Sequence, residues 1–171
     1  NESRKAVNEI EYIVWYGETF DLDERFDTIS MTNLAEHVDD PIALLKNCKK
    51  HLAKGGRVIV QVPNANSLTR RLGVSMNFIP NIYNITNKER DFYGHKRVYT
   101  LQSLIQDCHL SGLKVVKYGG ILLKFLPNEI LLKICKEQGE EWIEKFIDAL
   151  VQLGKDRPED CAQLYCVCEW K

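Results

Sequence analysis

The sequence predicts an α/β domain, and three of its features do so. Short β-branched and aromatic runs alternate with segments whose apolar residues recur at helical spacing. The run Val58-Ile59-Val60-Gln61-Val62 is almost continuously apolar, as expected of a parallel strand covered on both faces. Strand, helix and strand also follow one another between residues 26 and 62, a span that suits a βαβ unit.

Taken in order, Asn1 to Glu9 reads as the tail of a helix. Tyr12-Ile13-Val14-Trp15-Tyr16 is a compact strand-forming run ending at Gly17, and Phe26 to Met31 is a second strand after an acidic loop. Asp39 or Asp40 then caps a helix. Pro41 suits its first turn, Ile42, Leu45, Cys48 and Leu52 form its apolar face, and Gly55-Gly56 stops it. Val58 to Val62 is the third strand. Beyond Pro63 the texture changes. Residues 64–99 are rich in Asn, carry Arg70, Arg71, Arg90 and Arg97, and lack a long periodic segment. They predict a short helix at Ser67–Leu72 followed by an irregular insertion. Thr100 opens a helix with Leu101, Leu104, Ile105 and Cys108 on one face, ended by Gly112. Leu113 to Tyr118 and Leu164 to Cys168 are further strands, separated by a helix from about Glu140 to Leu153 that is expected to bury Trp142, Ile143, Phe146, Ile147 and Leu150. No repeat or linker divides residues 1–171, which read as one domain.

Composition narrows the function classes. At 171 residues and 44% hydrophobic, the chain can bury a core and is too apolar for disorder. With 23 basic against 24 acidic residues it lacks the positive excess of a nucleic-acid binder. No apolar run reaches the roughly 18–20 residues of a membrane span, and no secretion signal is visible. Six scattered Cys then read as reduced thiols in a cytoplasmic protein. Cys161, Cys166 and Cys168 lack paired C-x-x-C spacing and a nearby His, so no metal site is read from the sequence.

The most informative stretch is Phe26-Asp27-Thr28-Ile29-Ser30-Met31-Thr32-Asn33-Leu34-Ala35-Glu36-His37-Val38-Asp39-Asp40-Pro41. It resembles the fourth-strand region of class I S-adenosylmethionine-dependent methyltransferases, where a strand opens with Phe-Asp and runs into Leu-Glu-His-Val. Leu52-Ala53-Lys54-Gly55-Gly56-Arg57-Val58 is similar to that family's Leu-x-Pro-Gly-Gly lead into the fifth strand, with Lys54 where Pro is usual. Val62-Pro63-Asn64-Ala65-Asn66-Ser67-Leu68 and Gly94-His95-Lys96-Arg97-Val98-Tyr99-Thr100 resemble a subgroup seen around polysaccharide and small-metabolite methylation. The resemblance covers roughly residues 10 to 125 and implies a Rossmann-like, mostly parallel sheet with flanking helices. It also implies S-adenosylmethionine as cofactor and a small-molecule or sugar-type acceptor, phosphate- and carboxylate-bearing ones included. The family's glycine-rich turn is not found, because the chain contains no Gly-x-Gly. Two strands and one helix, roughly 40–60 residues on ordinary element lengths, are therefore expected ahead of residue 11 in a longer enzyme.

Ligands of open α/β sheets lie at the carboxyl ends of the strands, so the residues after each strand are the candidates. The resemblance assigns the cofactor to Glu18, Thr19, Thr32 and Asn33, with Glu18 accepting from the adenine amino group. Asn64, Asn66 and Arg70 then face the acceptor, with Arg70 and Arg71 placed to grip an anionic group, unless they belong to a solvated helix face. His95, Arg97 and Tyr99 alternate along an extended segment and so share a face. In one reading His95 is the base, Tyr99 a hydrogen-bond donor and Arg97 an acceptor-binding group. In the other, Arg97 clamps loop carbonyls. His37 is a second candidate base or a structural His, and Glu36 is expected to fix local backbone. Thr32, Asn64 and Tyr99 are expected to share one hollow. The alternatives to a methyltransferase are a methyltransferase-like binding or assembly module and, with less support from the motifs, a nicotinamide oxidoreductase.

Overall fold

A computed structural model describes residues 10–170. The helix tail expected at Asn1 to Glu9 lies outside the described residues. The elements are β1 (Phe26–Thr32), α1 (Pro41–Lys50), β2 (Leu52–Pro63), α2 (Leu68–Ser75), α3 (Leu101–Leu110), β3 (Leu113–Leu123), α4 (Asn128–Lys136), α5 (Glu140–Lys155) and β4 (Cys161–Trp170). The sheet order is β1-β2-β4-β3. β1 and β2 pair in parallel, while β4 is antiparallel to both of its neighbours. Three strands therefore run one way and β4 alone runs back between β2 and β3. β1 to β2 is the βαβ unit that the sequence predicts, and its crossover helix α1 packs on the sheet.

Local chemistry sets the helix ends. Asp40 caps α1 by accepting from the Ala43 amide at 2.9 Å, and Pro41 occupies the first turn. Thr100 and Ser103 form a reciprocal capping box on α3. Leu44, Leu45 and Cys48 of α1 and Leu101, Leu104 and Cys108 of α3 bury against Val58, Val60, Val62, Cys166 and Cys168 of the sheet. The glycine pair does a different job from the one expected. α1 ends at His51, and Gly55 and Gly56 lie inside β2 at the irregularity where its register against β1 shifts. Gly55 takes φ +80°, and a Cβ on Gly56 would lie 2.8 Å from the Phe26 carbonyl oxygen.

Two other expectations are corrected. Tyr12–Tyr16 is not a strand, and Val14 and Tyr16 are 85% and 81% exposed. A strand needs a paired strand for its amides and carbonyls, and in the described sheet β1 is an edge strand whose one partner is β2. In α5 only Leu150 of the predicted stripe is buried, while Trp142 and Ile147 stay exposed because one side of the helix faces no other described element. α4, which the sequence reading left out, buries none of its residues.

Candidate active site

The chain leaves β1 through Asn33, a non-glycine residue at φ +51°, which turns it sharply at the carboxyl tip of the sheet. Asn33 is held from both sides. Its amide donates to the Gln61 carbonyl at 3.0 Å, and its side-chain oxygen accepts from Gln163 at 3.1 Å. The turn beyond it, residues 34–39, is joined to the returning end of the insertion by a row of hydrogen bonds. The Lys96 amide donates to the Glu36 carbonyl at 2.9 Å. The Arg97 guanidinium donates to the carbonyls of Ala35 (2.9 Å), Val38 and Asp39 (2.9 Å). Lys96 Nζ pairs with Asp39 at 2.5 Å.

This docking brings His95 to the adjacent pair Glu36 and His37, which is distant from it in sequence. Potential ligand atoms of Glu36, His37 and His95 all lie within 4.8 Å of one another. The two imidazoles meet edge to face, with centroids 4.9 Å apart. His37 Nδ1 lies 3.3 Å from the Gly94 carbonyl oxygen, which can only accept, so Nδ1 carries the proton of the neutral ring and Nε2 presents a lone pair. That nitrogen faces Glu36 Oε1 at 3.6 Å. Glu36 is fully buried, and neither of its carboxylate oxygens has a hydrogen-bond partner; His95 Nδ1 is likewise buried and unpartnered. Burial pushes the Glu36 carboxyl above the usual range, offset in part by its own amide and by His37. Burial, then the neighbouring His37, pulls His95 down and favours a neutral ring.

The three groups form one side of an open hollow of about 520 Å³, whose rim includes Asn33, Glu89 and Lys124. Burial outweighs the pull of Glu129 and lowers the Lys124 ammonium below its ordinary value, and its Nζ donates to Asn128 at 2.9 Å. Sequence reasoning missed Glu89 and Lys124, and neither carries a local signal that would have found them.

The methyltransferase-domain family model matches residues 3–118, more than half of the chain. The chain belongs to this methyltransferase family. Solved methyltransferases share its fold. One from Thermotoga maritima, described as an S-adenosylmethionine-dependent methyltransferase and possible histamine N-methyltransferase, is 21% identical with a TM-score of 0.56, and the match covers 91% of this chain and 61% of that one. One from Mesorhizobium loti is 14% identical with a TM-score of 0.58, covering 97% and 73%. The N-methyltransferase NodS of Bradyrhizobium japonicum, solved with S-adenosyl-L-homocysteine, is 15% identical with a TM-score of 0.50, covering 98% and 57%. The chain thus spans about 61% of the length of the Thermotoga protein. No curated protein matches it.

Against the site expected of a methyltransferase, the candidates divide. His37, His95 and Asn33 line the hollow. Tyr99 does not: its ring is 2% exposed in the core, and its hydroxyl donates to Asp107 at 3.1 Å. Arg97 is the clamp described above, so its guanidinium is engaged by carbonyls instead of an acceptor. Arg70 is also engaged, by the carbonyls of Ile82 and Asn84 and by Glu89, and holds the insertion together. Arg71 pairs with Asp160. The Asn64 side chain is buried, donating to the carbonyls of Glu159 and Cys161 at 2.8 and 2.7 Å and accepting from the Asn66 amide at 2.9 Å. Asn66 is half-buried beside it and does not line the hollow. Thr32, Asn64 and Tyr99 therefore share no hollow, because the last two spend their polar atoms within the fold. Thr32 and Thr19 are exposed. Glu18 Oε1 accepts from the Asp39 amide at 3.3 Å, at the far end of the turn that carries Glu36 and His37.

Proposed function

We propose that this chain is the acceptor-side part of an S-adenosylmethionine-dependent methyltransferase acting on a small-molecule or sugar-type acceptor. The observation that carries the reading is the hollow at the strand tips, where Glu36 and His95 hold buried, unpartnered polar atoms beside His37 and Asn33. The residues assigned to the cofactor fit one side of such a ligand. Thr32 offers an exposed hydroxyl at the tip of β1, Asn33 turns the backbone out of the way, and Glu18 is tied by one oxygen to the same turn. When bound, the cofactor supplies an electrophilic methyl on a sulfonium. The residues of the hollow orient the acceptor against it and exclude water. His95, kept neutral by burial, accepts the proton of an O–H or N–H acceptor at Nδ1, while His37 and Glu36 fix the ring's surroundings. Six free thiols, four of them packed into the core beside the sheet, fit a reducing, cytoplasmic setting. No helix among the described residues is long and apolar enough to cross a membrane.

Calorimetry of the full-length natural protein with S-adenosylhomocysteine tests the reading. Binding is expected, and no heat at millimolar ligand would leave the binding-module alternative. With an acceptor in hand, His95→Ala is expected to cut turnover on the order of a hundredfold or more while cofactor affinity stays unchanged. Equal turnover removes His95 from the reaction.

A further inference from the structure

We propose that Glu36, His37 and His95 form a binding site for a divalent transition-metal cation at the floor of the hollow. Three observations support it independently of one another. The first is the orphaned carboxylate: Glu36 is 0% exposed, yet both of its oxygens lack a hydrogen-bond partner. Buried carboxylates are ordinarily satisfied, because taking an ion from water without compensation costs several kcal/mol or more. The second is the orientation of His37. With Nδ1–H directed at the Gly94 carbonyl, Nε2 is left facing Glu36 Oε1 at 3.6 Å, beyond hydrogen-bond distance. A carbonyl on the far nitrogen is the arrangement that orients metal-bound imidazoles. The third is His95, whose Nδ1 is buried and unpartnered and whose ring offers a nitrogen within 4.8 Å of the other two groups. Three electron-rich atoms converge, and a positive centre among them would satisfy all three together.

The spacing suits such an ion. Ligand atoms around one tetrahedral cation at about 2.0–2.2 Å lie about 3.4 Å apart. The Glu36–His37 pair is already near that separation at 3.6 Å, and the three groups together lie within 4.8 Å. Two imidazoles and one carboxylate favour zinc, manganese or iron over calcium or magnesium, which take oxygen ligands. Three protein ligands leave at least one position open toward the hollow, as in catalytic metal sites. Here the inference rests on the methyl-transfer reading: an acceptor hydroxyl or carboxylate oxygen would fill that position. A cation there would lower the pKa of an acceptor hydroxyl in that position, and His95, engaged as its ligand, would then hold the ion in place of taking the proton.

The test is titration of the full-length, chelator-stripped protein with Mn2+, followed by loss of the free-ion resonance signal, and with Zn2+ by calorimetry. One equivalent is expected to bind and to be removed by EDTA. Glu36→Gln and His95→Gln should each weaken binding at least about tenfold, while His109→Gln, on the exposed last turn of α3, leaves it unchanged. Should a variant fail to fold, Mn2+ broadening of the His37 and His95 ring signals in the wild type, with His51 and His109 still sharp, carries the same information. No binding of either ion overturns the proposal, as does binding undiminished in both folded variants or broadening that spares His37 and His95. Calorimetry with S-adenosylhomocysteine on the same preparation separates the two readings. Cofactor binding without cation binding sinks the metal site alone, and cation binding without cofactor binding sinks methyl transfer alone.

Discussion

The walls and the floor of the hollow treat buried polar atoms in opposite ways. The walls are held from behind by two clamps that do not themselves line the hollow: Arg97 meets three carbonyls of the 34–39 turn, and Arg70 meets two carbonyls and Glu89 in the insertion. On the floor, Glu36 of that turn and Nδ1 of the nearby His95 are buried without a hydrogen-bond partner. The Arg97 clamp and the floor come from the same two stretches of chain, so fold alone does not account for the difference. Satisfied polar groups rigidify a scaffold, whereas an unsatisfied one survives only if a bound species compensates it or function demands it. The walls are therefore built to hold shape, and the floor is held open for a ligand.

The largest expected effect lies in the walls. Arg97→Ala strips the hydrogen bonds from three carbonyls, and each bond to a charged donor contributes about 1.5–3 kcal/mol before solvent takes its share. Since the Asp39 end of the clamp is exposed, a loss of about 3 kcal/mol in unfolding free energy is expected, read as a lower urea midpoint at constant slope. Arg97→Lys keeps the charge but not the planar fork and should recover less than half of it. A loss near zero would mean that the turn holds its shape without the clamp, and the contrast with the floor would dissolve.

A smaller effect is expected at Tyr99, which the sequence placed with the reacting groups and the structure places in the core. Tyr99→Phe deletes the hydroxyl that donates to Asp107 and should cost about 1 kcal/mol at neutral pH, with turnover unchanged. Its pH dependence has a definite sign. Burial holds the Asp107 carboxyl above its ordinary 3.8, while the Tyr99 hydroxyl pulls it back down. An acid raised in the folded state favours folding while protonated and loses that advantage as pH climbs from its unfolded to its folded value. Removing the hydroxyl raises Asp107 further, so the deficit of the variant shrinks below about pH 4 and grows above it. A deficit that is largest in acid would contradict this assignment.

Much of the fold was legible because the signals are local. The Asp40 cap, the Thr100 capping box and the apolar run of β2 are written in adjacent residues. Tyr12–Tyr16 misled because a strand-forming composition says nothing about whether a partner strand lies alongside. The helical stripe of α5 misled likewise, since periodicity gives a face but not what covers it. At the site, His37 and His95 were found as titratable groups after strand-like runs. Glu36 was passed over as a backbone fixer because its oddity exists only in three dimensions. Its neighbour His95 lies far along the chain, and only the bonds of residues 94–97 to residues 35–39 leave the carboxylate walled in and unmet.

The smallest stability change is expected on the floor. Glu36→Gln keeps the shape of the side chain and removes the burden of an unpartnered buried carboxyl, whose ionised form burial disfavours. Ordinarily, replacing a buried charged residue strands its partner and costs several kcal/mol. Here no hydrogen-bond partner exists to strand, so in the presence of chelator the variant should unfold within about 1 kcal/mol of the wild type, on the more stable side. The same substitution should abolish any rise in melting temperature that Mn2+ gives the wild type, because that rise follows from binding to the folded state. A destabilisation of about 2 kcal/mol or more in chelator would show that Glu36 is engaged within the protein itself, and would make the floor one more wall.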